Sequence, residues 1–196
     1  MLYLCQLDYP DIPYPTHISE PDNERGPHTT IKSSGCGLCA AVMMADRLLP
    51  EPNFTLEDAL QLSLEVGANA WSGTSYRLFA PAVASRLGLW LKVTSDLDLL
   101  AEELKTGACA VAHVRTHPDG SKAVFTNGGH YITVIGVEKD GRFAILDPSY
   151  KPGKFDIPER QGKVEVVADK ICLCAPEVLA ADIEALGDKG LYIFRR

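Results

Sequence analysis

Leu38, Ala41, Val42, Ala45, Leu48 and Leu49 recur at three- and four-residue intervals, the spacing of one face of an α-helix. Ser33, Ser34 and Gly35 stand before them as start signals and Pro50 and Pro52 after, so a buried helix is predicted over 36–49. Thr55 with Asp58 has the pattern of a capping box for a second helix running to about Val66 and closed by Gly67. A third, shorter helix is expected to follow Pro81 and end at Gly88. Beyond residue 88 short runs replace the helical spacing. Residues 89–94 read as a strand, Ser95 with Asp98 as the cap of a helix that turns Leu97, Leu100 and Leu104 inward before Gly107, and 108–114 as a buried strand. Residues 131–137 and 142–146 are apolar or β-branched and flank Asp140-Gly141, a two-residue hairpin signal, so these strands should pair antiparallel. A strand over 164–167, a helix over 176–186 with proline in its first turn and a closing strand over 191–194 complete the pattern. Helices first and antiparallel strands later make an α+β layout, with the N-terminal helices packed on a C-terminal antiparallel sheet. Residues 10–27 carry five prolines and little periodicity and read as a long ordered loop.

The length of 196 residues suits a single domain over 1–196, and 46% hydrophobic with 23% charged residues excludes disorder, collagen-like sequence and coiled coil. A net charge of −7 offers no basic surface for phosphates, so neither nucleic acid nor an anionic membrane is the expected partner. No apolar run approaches the ~20 residues of a membrane span, since Asp46 and Arg47 interrupt the longest candidate. The N-terminus lacks a basic stretch and reaches Asp8 after few apolar residues, so no signal peptide is read and a cytoplasmic location is expected. Six cysteines are too few for a disulfide scaffold; free thiols in a reducing compartment direct attention to catalysis or metal.

Cys36 lies in Ser34-Gly35-Cys36-Gly37, in the first turn of the predicted helix 36–49, where unpaired N–H groups and the positive end of the dipole favour a thiolate. A nearby histidine would complete the usual means of lowering a thiol pKa, and the small Gly35 and Gly37 would let a substrate backbone approach. His130 opens one hairpin strand and Asp147 ends its partner before Pro148. With a two-residue turn Asp147 falls opposite Val134, which shares parity with His130, so acid and imidazole project from one face. They remain four residues apart along the strand, and a bulge, a longer turn or twist is required to join them.

Thr30-Ile31-Lys32-Ser33-Ser34-Gly35-Cys36-Gly37 with Ala40, Ala41 and Met43, then Gly73-Thr74, Gly129-His130-Tyr131 and Leu146-Asp147-Pro148, resembles the papain-like cysteine peptidases related to bacteriocin-leader (double-glycine) processing peptidases. The resemblance runs from about Gln6 to Ser149. It implies a papain-like fold and a cysteine peptidase in which Cys36 is the nucleophile, His130 the base, Asp147 the group that orients it, and Gln6 a contributor to the oxyanion hole. It implies a peptide or protein substrate and neither cofactor nor metal.

Other readings stay open. Cys36 and Cys39 form a C-x-x-C that could be a redox pair or, with Cys172 and Cys174, a zinc set, although Cys172-x-Cys174 is tighter than the usual spacing and no thioredoxin-like βαβ pattern surrounds the first pair. The papain-type signature places its nucleophile at the second cysteine; Cys36 is favoured here because Cys39 lies deeper in the helix among packing residues. His17, His28, His113 and His117 are read as structural, with loop histidines able to line a cleft, and Trp71 as a core aromatic. A papain-like binding module without turnover is the competing function class.

Overall fold

In a computed structural model, which describes residues 1–16, 28–51, 54–70 and 73–196, the first apolar stripe is helix α2 (Cys36–Leu48), entered from a single turn, α1 (Ile31–Ser34). Ten of its thirteen residues are buried, so α2 is enclosed on nearly all sides rather than along one face. The sheet covers one side, and α3 (Leu56–Glu65) and α4 (Tyr76–Leu87) cover others. Leu38, Met43 and Met44 are fully buried there, each stabilising the fold by about 1.5–3 kcal/mol. The predicted capping box opens α3: Thr55 N donates to Asp58 Oδ2 at 2.8 Å and Asp58 N to Thr55 Oγ1 at 3.1 Å. Helix α4 begins at Tyr76 rather than after Pro81. Buried Tyr76, Phe79, Ala80 and Val83 carry the helical spacing past the proline, whose own exposed position leaves the missing hydrogen bond on the wet side.

Among the described residues seven strands follow: β1 (Trp90–Thr94), β2 (Cys109–Arg115), β3 (Gly129–Val137), β4 (Phe143–Leu146), β5 (Val164–Val166), β6 (Ile171–Cys174) and β7 (Leu191–Arg195). They form one antiparallel sheet in the order β1-β7-β2-β3-β4-β6-β5. The α+β layout is as expected, but helices cover both faces. On the second face lie α5 (Leu97–Lys105) and α6 (Pro176–Ile183), the latter tightening to a 3₁₀ turn over Glu184–Leu186. Burial on both faces explains why β2 reads as a continuous apolar run: Cys109 and Val111 join the α2 core, Ala110, Ala112 and Val114 the α5/α6 core. The cap of α5 is Asp96, not Ser95. Asp96 Oδ1 accepts from Asp98 N and Leu99 N at 3.0 Å each, and Ser95 Oγ accepts from Gly190 N at 2.9 Å.

The β3–β4 hairpin departs from the two-residue turn. Glu138 N bonds Arg142 O at 2.8 Å, so the loop is Lys139-Asp140-Gly141, with Gly141 at φ +89°, a left-handed conformation that favours glycine. A bulge between Val134 and Gly136 then shifts the register again, pairing Thr133 with Leu146. Continuing that register sets Asp147 level with Ile132 instead of Val134. Two single-residue shifts preserve side-chain parity, so Asp147 still faces with His130 and now lies two residues from it rather than four. Among the described residues, no helix is long and apolar enough to cross a membrane.

Candidate active site

Cys36 is the first residue of α2 and is partly exposed. Internal packing alone requires its two glycine neighbours. A Cβ on Gly37 would stand 2.9 Å from Thr74 Cβ and 3.0 Å from Tyr76 Cε2, and one on Gly35 would stand 2.7 Å from Ile31 Cγ2. The close approach at Gly37 lets Tyr76 OH donate to Gly37 O at 2.7 Å, clamping the N-terminus of α2 to that of α4. His130 enters from the start of β3 and lines the same cleft as Cys36. Its Nε2 lies 2.8 Å from Asp147 Oδ1 and 3.0 Å from Ser149 Oγ, which leaves Nδ1 for the sulfur. Cys36, His130 and Asp147, far apart in the chain, therefore form one connected set.

Asp147 is completely buried, and each of its carboxylate oxygens is satisfied. Oδ1 accepts from Ser149 N at 2.9 Å and Ser149 Oγ at 3.0 Å besides His130, and Oδ2 forms an ion pair with Lys154 Nζ. Lys154 Nζ also donates to Ser149 Oγ at 2.7 Å. Burial would raise the carboxyl pKa, but the bonds and charges of His130 and Lys154 outweigh it and hold the group well below the carboxylate range. Burial likewise opposes an imidazolium, and Asp147 and the Cys36 thiol overcome it, raising the pKa of His130. For Cys36, burial acts against the thiolate; the hydrogen bond and charge of His130, with backbone hydrogen bonds from Tyr131 and Gly37, reverse the sign and lower the thiol pKa. The opposite shifts of the two partners favour a thiolate–imidazolium pair. Cys39, by contrast, is fully buried and its thiol is pushed well up by burial and by Cys36.

Gln6 lies in a 3₁₀ turn (Gln6–Asp8) beside this set. Its backbone N donates to Pro148 O at 2.7 Å and its Nε2 to Lys32 O at 2.8 Å, while its buried Oε1 has no partner. One amide hydrogen is thus committed to α1 and one remains. Tyr3 OH donates to Asp147 O at 2.8 Å, so the N-terminal segment clasps the loop that carries the acid.

The site opens on a cleft of about 580 Å³. Its wall includes Thr74, Tyr76, Tyr131, Tyr192 and His113, the last stacked on Tyr131 with centroids 4.4 Å apart. His113, read from sequence as structural, therefore also lines the cleft; burial, with Arg115 and His130, pushes its pKa down to about 4. His117 is not among the described lining residues and is engaged by Asp182 at 3.0 Å, and His28 is exposed. His17, Trp71 and most of the predicted loop over 10–27 lie outside the described residues. Cys172 and Cys174 sit in the α5/α6 core, on the opposite side of the sheet from Cys36 and Cys39, so the four sulfurs share no coordination shell. Sequence reasoning missed Ser149 and Lys154. Lys154 follows Asp147 by seven residues in an irregular segment, with no periodicity to place it.

No family model matches this sequence, and no curated protein matches it. Among solved structures the chain is similar to that of a candidate C39-like peptidase from Bacillus anthracis, with a TM-score of 0.51 and 12% identity over 93% of this chain and 94% of that one. The likeness is one of fold: mixed helices and an antiparallel sheet arranged as in a C39-like peptidase, the fold that the sequence resemblance implied.

Proposed function

We propose that the protein is a cysteine hydrolase cleaving a peptide or related amide bond. The observation that carries the reading is the 2.8 Å hydrogen bond from His130 Nε2 to the buried carboxylate of Asp147, in a cleft that Cys36 and His130 line together and in which the thiol pKa is lowered and the imidazole pKa raised. In this reading the Cys36 thiolate attacks the scissile carbonyl carbon, forming an S–C bond as the carbonyl oxygen takes up the negative charge. The Cys36 N–H, at the start of a thirteen-residue helix, and the remaining amide hydrogen of Gln6 meet that oxyanion, each donor lowering the barrier by about 3 kcal/mol. His130 protonates the leaving amine as the C–N bond breaks, leaving a thioester. Water, deprotonated by the same ring, hydrolyses the thioester and returns the thiol. Asp147 keeps Nε2 as the donor to itself and thereby aims Nδ1 at sulfur and substrate.

The test has two readouts. Iodoacetamide near neutral pH should alkylate Cys36 far faster than the five other cysteines, of which Cys39, Cys109, Cys172 and Cys174 are buried with raised thiol pKa values. The His130→Ala protein should lose that advantage. The pure protein incubated with a peptide library should release fragments, and Cys36→Ala should not. Fast labelling without fragments would favour a binding module; slow, uniform labelling would sink the thiolate altogether.

A further inference from the structure

The cleft beside Cys36 is lined by three cationic side chains, Arg77, Arg115 and Lys189, and among its described lining residues there is neither aspartate nor glutamate. This is contrary to the average of a chain with net charge −7. The three come from separate elements. Arg77 is in the first turn of α4, whose dipole adds positive potential, Arg115 is the last residue of β2, and Lys189 lies in the turn leading to β7. All three are exposed, and none has an ion-pair or hydrogen-bond partner among the described residues. Arg142 and Arg195 elsewhere on the surface do find acidic partners, so carboxylates are not scarce on this molecule; among the described residues they are missing from this wall. Apart from the Cys36–His130 pair, whose two charges offset each other, the rest of the described lining is aromatic, hydroxylic or small, with Tyr76, Tyr131, Tyr192 and Thr74 prominent, and His113 is held toward its neutral form.

Building on the hydrolase reading, we propose that the cleft selects peptides bearing a carboxylate close to the bond at Cys36, held by Arg77, Arg115 and Lys189. Guanidinium groups present a planar fork that matches a carboxylate with two parallel hydrogen bonds, and a cleft lined by one sign of charge concentrates the opposite sign. The carboxylate is supplied by an Asp or Glu side chain or by a free C-terminus.

Iodoacetate and iodoacetamide test this directly, because they alkylate the same sulfur and differ in carrying a carboxylate or a neutral amide. Within each protein the iodoacetamide rate at Cys36 is the reference, and the iodoacetate-to-iodoacetamide ratio is the measurement. Arg77→Gln/Arg115→Gln/Lys189→Gln should lower that ratio about tenfold, and 1 M salt should lower it in the unsubstituted protein by a similar factor. A ratio unmoved by the substitutions, with Cys36 still labelling fast, would overturn the carboxylate preference alone; Cys36 slow toward both reagents would overturn the hydrolase reading beneath it. Protection of Cys36 from iodoacetamide then identifies the source. A C-terminally amidated peptide with an internal glutamate and a peptide with a free C-terminus but no acidic side chain are the two arms. An amidated peptide without any acid should protect least, and equal protection by all three would refute the proposal.

Discussion

Lys154→Met isolates what the buried ammonium does to the imidazole. In the folded protein Asp147 is shared between two cations, His130 on one oxygen and Lys154 on the other. Legs of 3.0 and 2.7 Å through Ser149 Oγ put Lys154 Nζ no more than about 5.7 Å from His130 Nε2. At an effective dielectric constant near 20, two positive charges at that distance repel by about 3 kcal/mol, equivalent to roughly two pH units. Removing the lysine relieves the imidazolium of this repulsion and leaves it the whole of Asp147, so the ring should keep its proton to higher pH. The side chains involved are at most 8% exposed, so solvent screening takes little from the effect. The NMR shift of the His130 ring followed against pH reports the midpoint without a substrate. In Lys154→Met it should move upward by one to two units, whereas Lys154→Arg, which keeps the charge, should stay near the unsubstituted protein. A midpoint that stays put or falls would refute the shared-carboxylate account. Breaking a buried pair also leaves Asp147 less compensated, and a stability loss of about 3–5 kcal/mol in urea is expected alongside.

Two further outcomes follow from features of the fold. Gly37→Ala gains about 1 kcal/mol of helix propensity but drives a methyl against Thr74 and Tyr76, so a net loss of about 1–3 kcal/mol is expected; an unchanged or higher urea midpoint would contradict the close-approach explanation. His113 is pushed down to about 4 in the fold, so between its ordinary value of 6.5 and that figure the unfolded chain binds a proton that the folded chain does not. Stability should therefore decrease as pH falls through this window, by up to about 3 kcal/mol, and His113→Gln should remove that part of the slope; parallel pH profiles for the two proteins would count against it.

What could be read from sequence was local. The helix at Cys36, the capping box at Thr55 and the apolar runs of β3 and β4 each depend on neighbours within a few residues, and each is found. Pro81 misled the reading because a proline inside a helix carries the same local signal as one at its start; only the burial of Tyr76 and Phe79 decides between them. The facing of His130 and Asp147 was legible through parity, but their contact was not, since it depends on a turn one residue longer than the Asp140-Gly141 signal and on a bulge without any signature. Lys154, and the three cations of the cleft, were illegible for a common reason: each is brought in by a different element, and no spacing along the chain records which elements meet.

The hairpin between His130 and Asp147 has a consequence for how this protein can vary in length. One added or deleted residue between the bulge and the end of β4 would reverse the alternation and turn the carboxylate to the far side of the sheet, whereas a change of two would keep it facing the ring. Lys139 and Asp140 at the loop's tip are exposed and would ordinarily make it a tolerant place for insertions, yet here tolerance is set by whether the change is odd or even.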